Sequence, residues 1–199
     1  MKTFAGTFAV LVAVACACGV APVNAGAEGL GTLTENGVAM EVKAAVVVVD
    51  PGSPGTPVSG GDPEASIQFT LLPYQPSAEE VAKLQAGDLS WQMNKTSPDA
   101  KKWPTWVPYG QFTLNWDSRQ DLGDVKKASS LNMYANGIGK EGNNSNGGVR
   151  AADVPITLTG ALKDGQDVTL VTKGTTKLGN ETFSWDLNVK AKVLLKKQP

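Results

Sequence analysis

Trp103 and Trp106 lie in a proline-broken stretch, 96–109, and are the side chains of this chain best suited to hold a ligand. An indole presents a flat apolar face and one N–H donor, so two of them on a loop can form a stacking platform for a sugar ring. Loop tryptophans also serve to plug the edge of a core, and both roles stay open for this pair. Covalent chemistry has far fewer candidates. There is no histidine among the 199 residues, which removes the commonest general base, the usual partner of a nucleophilic serine and the commonest metal ligand. The only two cysteines, Cys16 and Cys18, sit inside an apolar leader. Carboxylate pairs and Ser–Lys dyads remain formally open, but no spacing points to one. No catalytic residue, metal ligand or cofactor is expected, and the chain is read as not an enzyme. With 18 basic and 19 acidic residues it also lacks the positive footprint of a nucleic-acid binder.

The compartment follows from the first residues. Met1-Lys2 is followed by an almost wholly apolar or small run, 4–20, and then by Pro22-Val23-Asn24-Ala25. That is the pattern of an export signal cleaved after Ala25. A membrane anchor is the other use of such a run, and Cys16 or Cys18 after small residues leaves lipoprotein processing open. Cleavage after Ala25 leaves 174 residues, 26–199, without a cysteine. Such a chain is held by its core and its ladders alone. The length suits one domain with a sizeable core.

The elements that must position any site are mostly strands. The stretch 38–49 alternates from Val38 to Lys43 and then becomes apolar at every position through Val49. Alternation indicates one buried face, and the unbroken valine run indicates two. β-branched side chains suit a strand and resist a helix. A strand this apolar needs a cover, in this chain or in another copy. Before it, 26–37 reads as a flexible tail or a weak strand. After it, Pro51 through Pro63 reads as a linker, because proline and glycine at this density cannot sit in a central ladder. Further alternation marks strands at 66–72, 89–94, 111–117, 130–135, 154–159, 168–172 and 182–195. Ser77-Ala78-Glu79-Glu80 has the form of a capping box, and Gly87 follows as a stop, which predicts a helix over 78–86. The polar run 137–148 predicts a mobile surface loop. Trp91, Trp116 and Trp185 fall in phase with inward apolar residues and are expected in the core. Many strands, one short helix and no βαβ rhythm predict an all-β, immunoglobulin-like antiparallel β-sandwich.

The two ends carry a resemblance. Asn36-Gly37 opens an alternating segment near the mature terminus, and Trp185-Asp186-Leu187-Asn188-Val189 lies in a long closing strand. In these features the chain resembles the subunits of bacterial chaperone–usher fimbriae, in particular the cysteine-free colonisation-factor pilins. The resemblance implies an incomplete immunoglobulin-like fold completed by a strand donated from the next subunit, a form of β-augmentation. It implies Val38, Met40, Val42, Ala44 and Val46 as donor side chains in an extension at 26–49, with 50–63 as tether and 64–199 as body. Trp185, Leu187, Val189, Ala191 and Val193 would then belong to the acceptor strand. Other fimbrial subunits, a periplasmic chaperone and an outer-membrane usher would be the partners, with a host glycan or receptor as ligand. The chain departs from that pattern where Lys196-Lys197-Gln198-Pro199 follows the last strand. Twelve residues also precede Val38 after the cleavage site, so a donor starting nearer Leu30, with 38–49 as first strand of the body, stays open. Two functions are thus expected: a structural subunit of a surface fimbria, or a secreted monomeric module that binds carbohydrate or another surface.

Overall fold

The computed structural model describes residues 30–52, 64–88, 108–117, 130–138, 144–150 and 153–197. The leader 1–25, the strand expected at 89–94 with Trp91, and most of the linker lie outside the described residues. Ten strands and one helix are described. They are β1 (Gly31–Glu35), β2 (Val38–Glu41), β3 (Ala44–Asp50), β4 (Glu64–Leu72), α1 (Ala78–Ala86), β5 (Tyr109–Asp117), β6 (Ser130–Asn136), β7 (Asn144–Val149), β8 (Ile156–Gly160), β9 (Asp167–Leu178) and β10 (Glu181–Leu195).

The strand that joins everything is β10. Inward Phe183, Trp185, Leu187, Val189, Ala191 and Val193 alternate with outward Asp186, Asn188, Lys190 and Lys192, as its sequence requires. One edge of β10 pairs with β9 from Glu181 to Lys192, and β9 in turn pairs with β8. Its other edge is divided. Phe183–Leu187 pairs antiparallel with β1, and Val193–Leu195 pairs in parallel with Val47–Val49 of β3. From β3 the sheet continues through β4, β5, β6 and β7.

The stretch 38–49 is therefore two strands rather than one. Met40 and Val42 point into the central core. At Lys43 the chain changes partner: the Val42 N–H donates to the Gly31 carbonyl at 2.9 Å, and the Lys43 N–H donates to the Leu72 carbonyl at 2.8 Å. The inward phase slips by one residue there, so that Ala45, Val47 and Val49 face the core and Ala44 and Val46 face the other way. A strand that changes partners at a bend turns a corner of the sheet. The result is an all-β domain with one short helix and a curled, mixed sheet forming a half-barrel. The expected pair of separate sandwich sheets is not clearly present, because β10 belongs to both halves.

The valine run is buried on both faces, as its composition requires, and the covers come from this chain. On the inner side Phe112, Phe183 and Trp185 form an aromatic cluster with centroids 5.7–6.3 Å apart. The Trp185 indole N–H donates to Thr172 Oγ1 at 3.0 Å. On the outer side Ala44 and Val46 meet Val81 and Leu84 of α1. That helix begins as its sequence predicts: the Glu80 N–H donates to Ser77 Oγ at 3.3 Å, and the Ser77 N–H donates to Glu80 Oε2 at 2.7 Å. Gly87 ends it in the left-handed conformation, φ 71°.

Of the two readings of 26–37, the strand holds over its described part: β1 pairs on both sides and turns at Asn36-Gly37 into β2. One expectation is corrected. The polar run 137–148 is not a loop throughout, because Asn144–Val149 forms β7 against β6. Here the ladder offered by a neighbouring strand outweighs weak local preference.

Candidate functional site

Side chains on β4, β5, β6 and β7 that point away from the core form one continuous outer face. The register sets them in rows across the strands. One row runs Thr70, Gln111, Tyr134, Asn146. The next runs Gln68, Thr113, Asn132, Gly148. Each of these side chains is uncharged, and the glycine adds none. Amides and hydroxyls both donate and accept hydrogen bonds, which matches a ligand rich in hydroxyl groups.

Two features shape this face. Gln68 Nε2 and Gln111 Nε2 both donate to Thr70 Oγ1, at 3.3 and 3.4 Å, which orients the two amides. Tyr134 packs on the buried Tyr109, with ring centroids 5.6 Å apart. Between β5 and β7 a shallow groove of about 380 Å3 is lined by Gln111, Thr113, Asn132, Tyr134, Asn146 and the Gly147-Gly148 backbone, with Met133 beneath. Gly148 helps keep it open, since a Cβ there would sit 2.7 Å from Asn132 Oδ1. A half-buried ring, oriented amides and an open floor can hold a sugar by stacking and hydrogen bonding.

The outer face of β9 and β10 has the opposite chemistry. Lys173 pairs with Asp186 at 2.5 Å, and Lys190 and Lys192 pair with Asp167 at 3.6 and 3.3 Å. The Lys192 hydrogen bond and charge hold the Asp167 carboxyl below its ordinary value. These pairs are exposed and contribute little to stability.

Near α1 a second cavity, about 250 Å3, is lined by Val48, Asp50, Ser66, Gln68, Leu84, Gly87, Asp88 and Lys196. Burial pushes the Asp50 carboxyl up, but the Lys196 ammonium at 2.7 Å and the Gly52 N–H at 3.0 Å outweigh it and leave the pKa lowered. Burial also pushes the Tyr74 hydroxyl up to about 12, and that hydroxyl donates to Glu80. Among the described residues no group of three or more His, Cys, Asp or Glu side chains is placed to hold a metal ion.

The residues singled out in the sequence fall as follows. Trp103 and Trp106 lie outside the described residues. Trp185, Leu187, Val189, Ala191 and Val193 all face the core on β10. Val38, Met40, Val42, Ala44 and Val46 do not share a face. Val38 is 45% exposed, Met40 and Val42 are in the central core, and Ala44 and Val46 lie under α1. The neutral face was not anticipated from sequence. Its signal was present in the polar alternates of 66–72, 111–117 and 130–135, but their adjacency was not. Compared with known proteins, the chain matches no family model, no curated protein and no solved structure.

Proposed function

We propose that this chain is an exported β-domain that binds neutral carbohydrate on the outer face of β4–β7, acting as a monomer. The observation that carries this reading is the absence of formal charge from the two rows Thr70–Gln111–Tyr134–Asn146 and Gln68–Thr113–Asn132–Gly148, while the outer face of β9 and β10 is studded with lysine and aspartate. A solvated sheet face needs only to be polar. A neutral, amide-rich one with an open groove favours a polyhydroxylated ligand over an ionic one. Export rests on the leader pattern of 1–25. The test is a glycan array followed by calorimetry. Asn132→Ala and Gln111→Ala should each weaken binding by about tenfold, the 1.4 kcal/mol expected of one or two lost hydrogen bonds. Melting should hardly change. A native protein that binds no glycan overturns the reading. Trp103→Ala and Trp106→Ala in the same assay show whether the tryptophan stretch contributes.

A second reading is favoured by one specific feature. β3 meets β10 through three parallel pairs, Val47–Val193, Val48–Leu194 and Val49–Leu195, while the other pairings among the described residues are antiparallel. Parallel pairing is slightly weaker per residue, and a Pro/Gly-rich stretch follows β3. A subunit that gives its N-terminal strands to the next copy, assembling into a fimbria with a chaperone and usher, would use this seam. Unboiled gels of protein from the cell surface should then show ladders. A chain that stays monomeric there and at high concentration in solution overturns the fimbrial reading.

A further inference from the structure

The neutral face does not stop at β4. Gln68 stands opposite Thr113 on β5 and opposite Val48 on β3, so a single row runs Val48, Gln68, Thr113, Asn132, Gly148 across five strands. Thr113 and Asn132 line the groove, and Val48 and Gln68 line the cavity beside α1. The two hollows therefore occupy the two ends of one row. Four strand steps of roughly 4.8 Å separate Val48 from Gly148, about 19 Å in all. That is too long for a single sugar ring.

The α1 end differs from the rest. It is walled by Leu84 and Gly87 of the helix terminus, and Asp50, Asp88 and Lys196 line it. Asp50 and Lys196 are paired at 2.7 Å, so their charges largely offset each other while the pair still offers strong donors and acceptors. Among the described residues the β7 end has no wall of this kind; Asn132 and Asn146 are exposed there.

We propose that the ligand is a linear neutral oligosaccharide lying across the strands, with one chain end seated in the cavity at the α1 terminus and the other end running out over β7. This rests on the carbohydrate reading above. The cavity closes the row at one end, so the site recognises a chain terminus, and the open β7 end accepts chains of any length. Affinity rises with length until the row is filled and then levels off.

The test uses the full exported chain and calorimetry with β-1,4-linked oligomers of glucose, of N-acetylglucosamine and of mannose, each as di-, tetra- and hexasaccharide. The tetrasaccharide of the accepted series should bind about tenfold tighter than its disaccharide, a difference of about 1.4 kcal/mol, and the hexasaccharide no tighter still. Ser66→Tyr fills the cavity from the outer face of β4 without touching the groove. It should remove the tetrasaccharide gain and leave disaccharide binding unchanged. Asp88→Asn, a smaller change in the same wall, should reduce the gain without altering melting. Equal binding of di- and tetrasaccharide by the native chain overturns this inference and leaves the shorter groove reading standing. Binding of none of the oligomers overturns this inference, and binding of no glycan on the array overturns the carbohydrate reading with it.

Discussion

At the scale of single residues one close constraint in the core lies between Leu33 and Gly110. A Cβ on Gly110 would sit 2.2 Å from Leu33 Cδ1, and Leu33 is fully buried. Leu33 thus reaches from β1 across the core onto a strand that must offer no side chain. Gly110→Ala should destabilise by about 1–3 kcal/mol, the usual cost of overpacking. Leu33→Ala should cost about 2–5 kcal/mol for the lost transfer energy and the cavity. The double variant should be less destabilised than the two changes added together, because the truncation removes the clash. Urea midpoints measure all three. The Asp50–Lys196 pair gives a pH dependence. The folded Asp50 pKa lies below its ordinary 3.8, so its contribution is present above that value and is lost as pH falls through the folded pKa. Asp50→Asn should abolish that part of the acid loss, leaving the two proteins closer in stability at pH 2 than at pH 7. Because the pair is partly exposed, the effect is small.

At the scale of elements, α1 and the β1–β2 hairpin show how local chemistry sets a boundary. Ser77→Ala removes one bond of the capping box and should cost about 1 kcal/mol. The loss should appear as faster hydrogen exchange in α1 before global unfolding. Helix α1 was legible in the sequence because its start and stop signals are made by its own residues. So was β10, whose alternation is unbroken over most of its length. The hairpin was only half legible. Asn36 and Gly37 both take positive φ, 49° and 82°, which is the chemistry of a tight hairpin turn. Yet Leu30 and Leu33 are the only large apolar residues in 26–37, too few to mark more than a weak strand. What secures it is remote: the Asn36 N–H donates to the Thr182 carbonyl and the Thr182 N–H to Asn36 Oδ1, both at 2.9 Å, and Asn36 Nδ2 donates to the Glu181 carboxylate. β7 was hidden for a similar reason, since its pairing is supplied by β6.

For the whole molecule, the N-terminal strands are part of the core. Leu33, Met40, Val42, Val46, Val47 and Val49 are each at most 3% exposed. Burial stabilises such side chains by about 1.5–3 kcal/mol apiece, so the six together match the roughly 5–15 kcal/mol by which a domain is stable at all. A chain that begins after Asp50, and so lacks β1, β2 and β3, should therefore lose its cooperative melting transition. The contrast between the two outer faces gives another expectation. Disaccharide binding in the groove on β5–β7 should change little between low salt and about 1 M, because no charged side chain lines that groove for ions to screen. A steep salt dependence would instead place the ligand on the lysine-bearing face of β9 and β10.

Period and punctuation are local properties, and they alone determined that this chain is rich in strands, carries one capped helix over Ala78–Ala86 and must bury its valine run on both faces. Pairing is not local. That β10 would divide one edge between β1 and β3, that the cover for Ala44 and Val46 would be α1 of the same chain, and that Gln68, Thr113 and Asn132 would fall into one neutral row were decided by tertiary structure. Backbone hydrogen bonds between strands are nearly the same whichever strands meet, so only the packing of side chains across the assembled core selects among the partners.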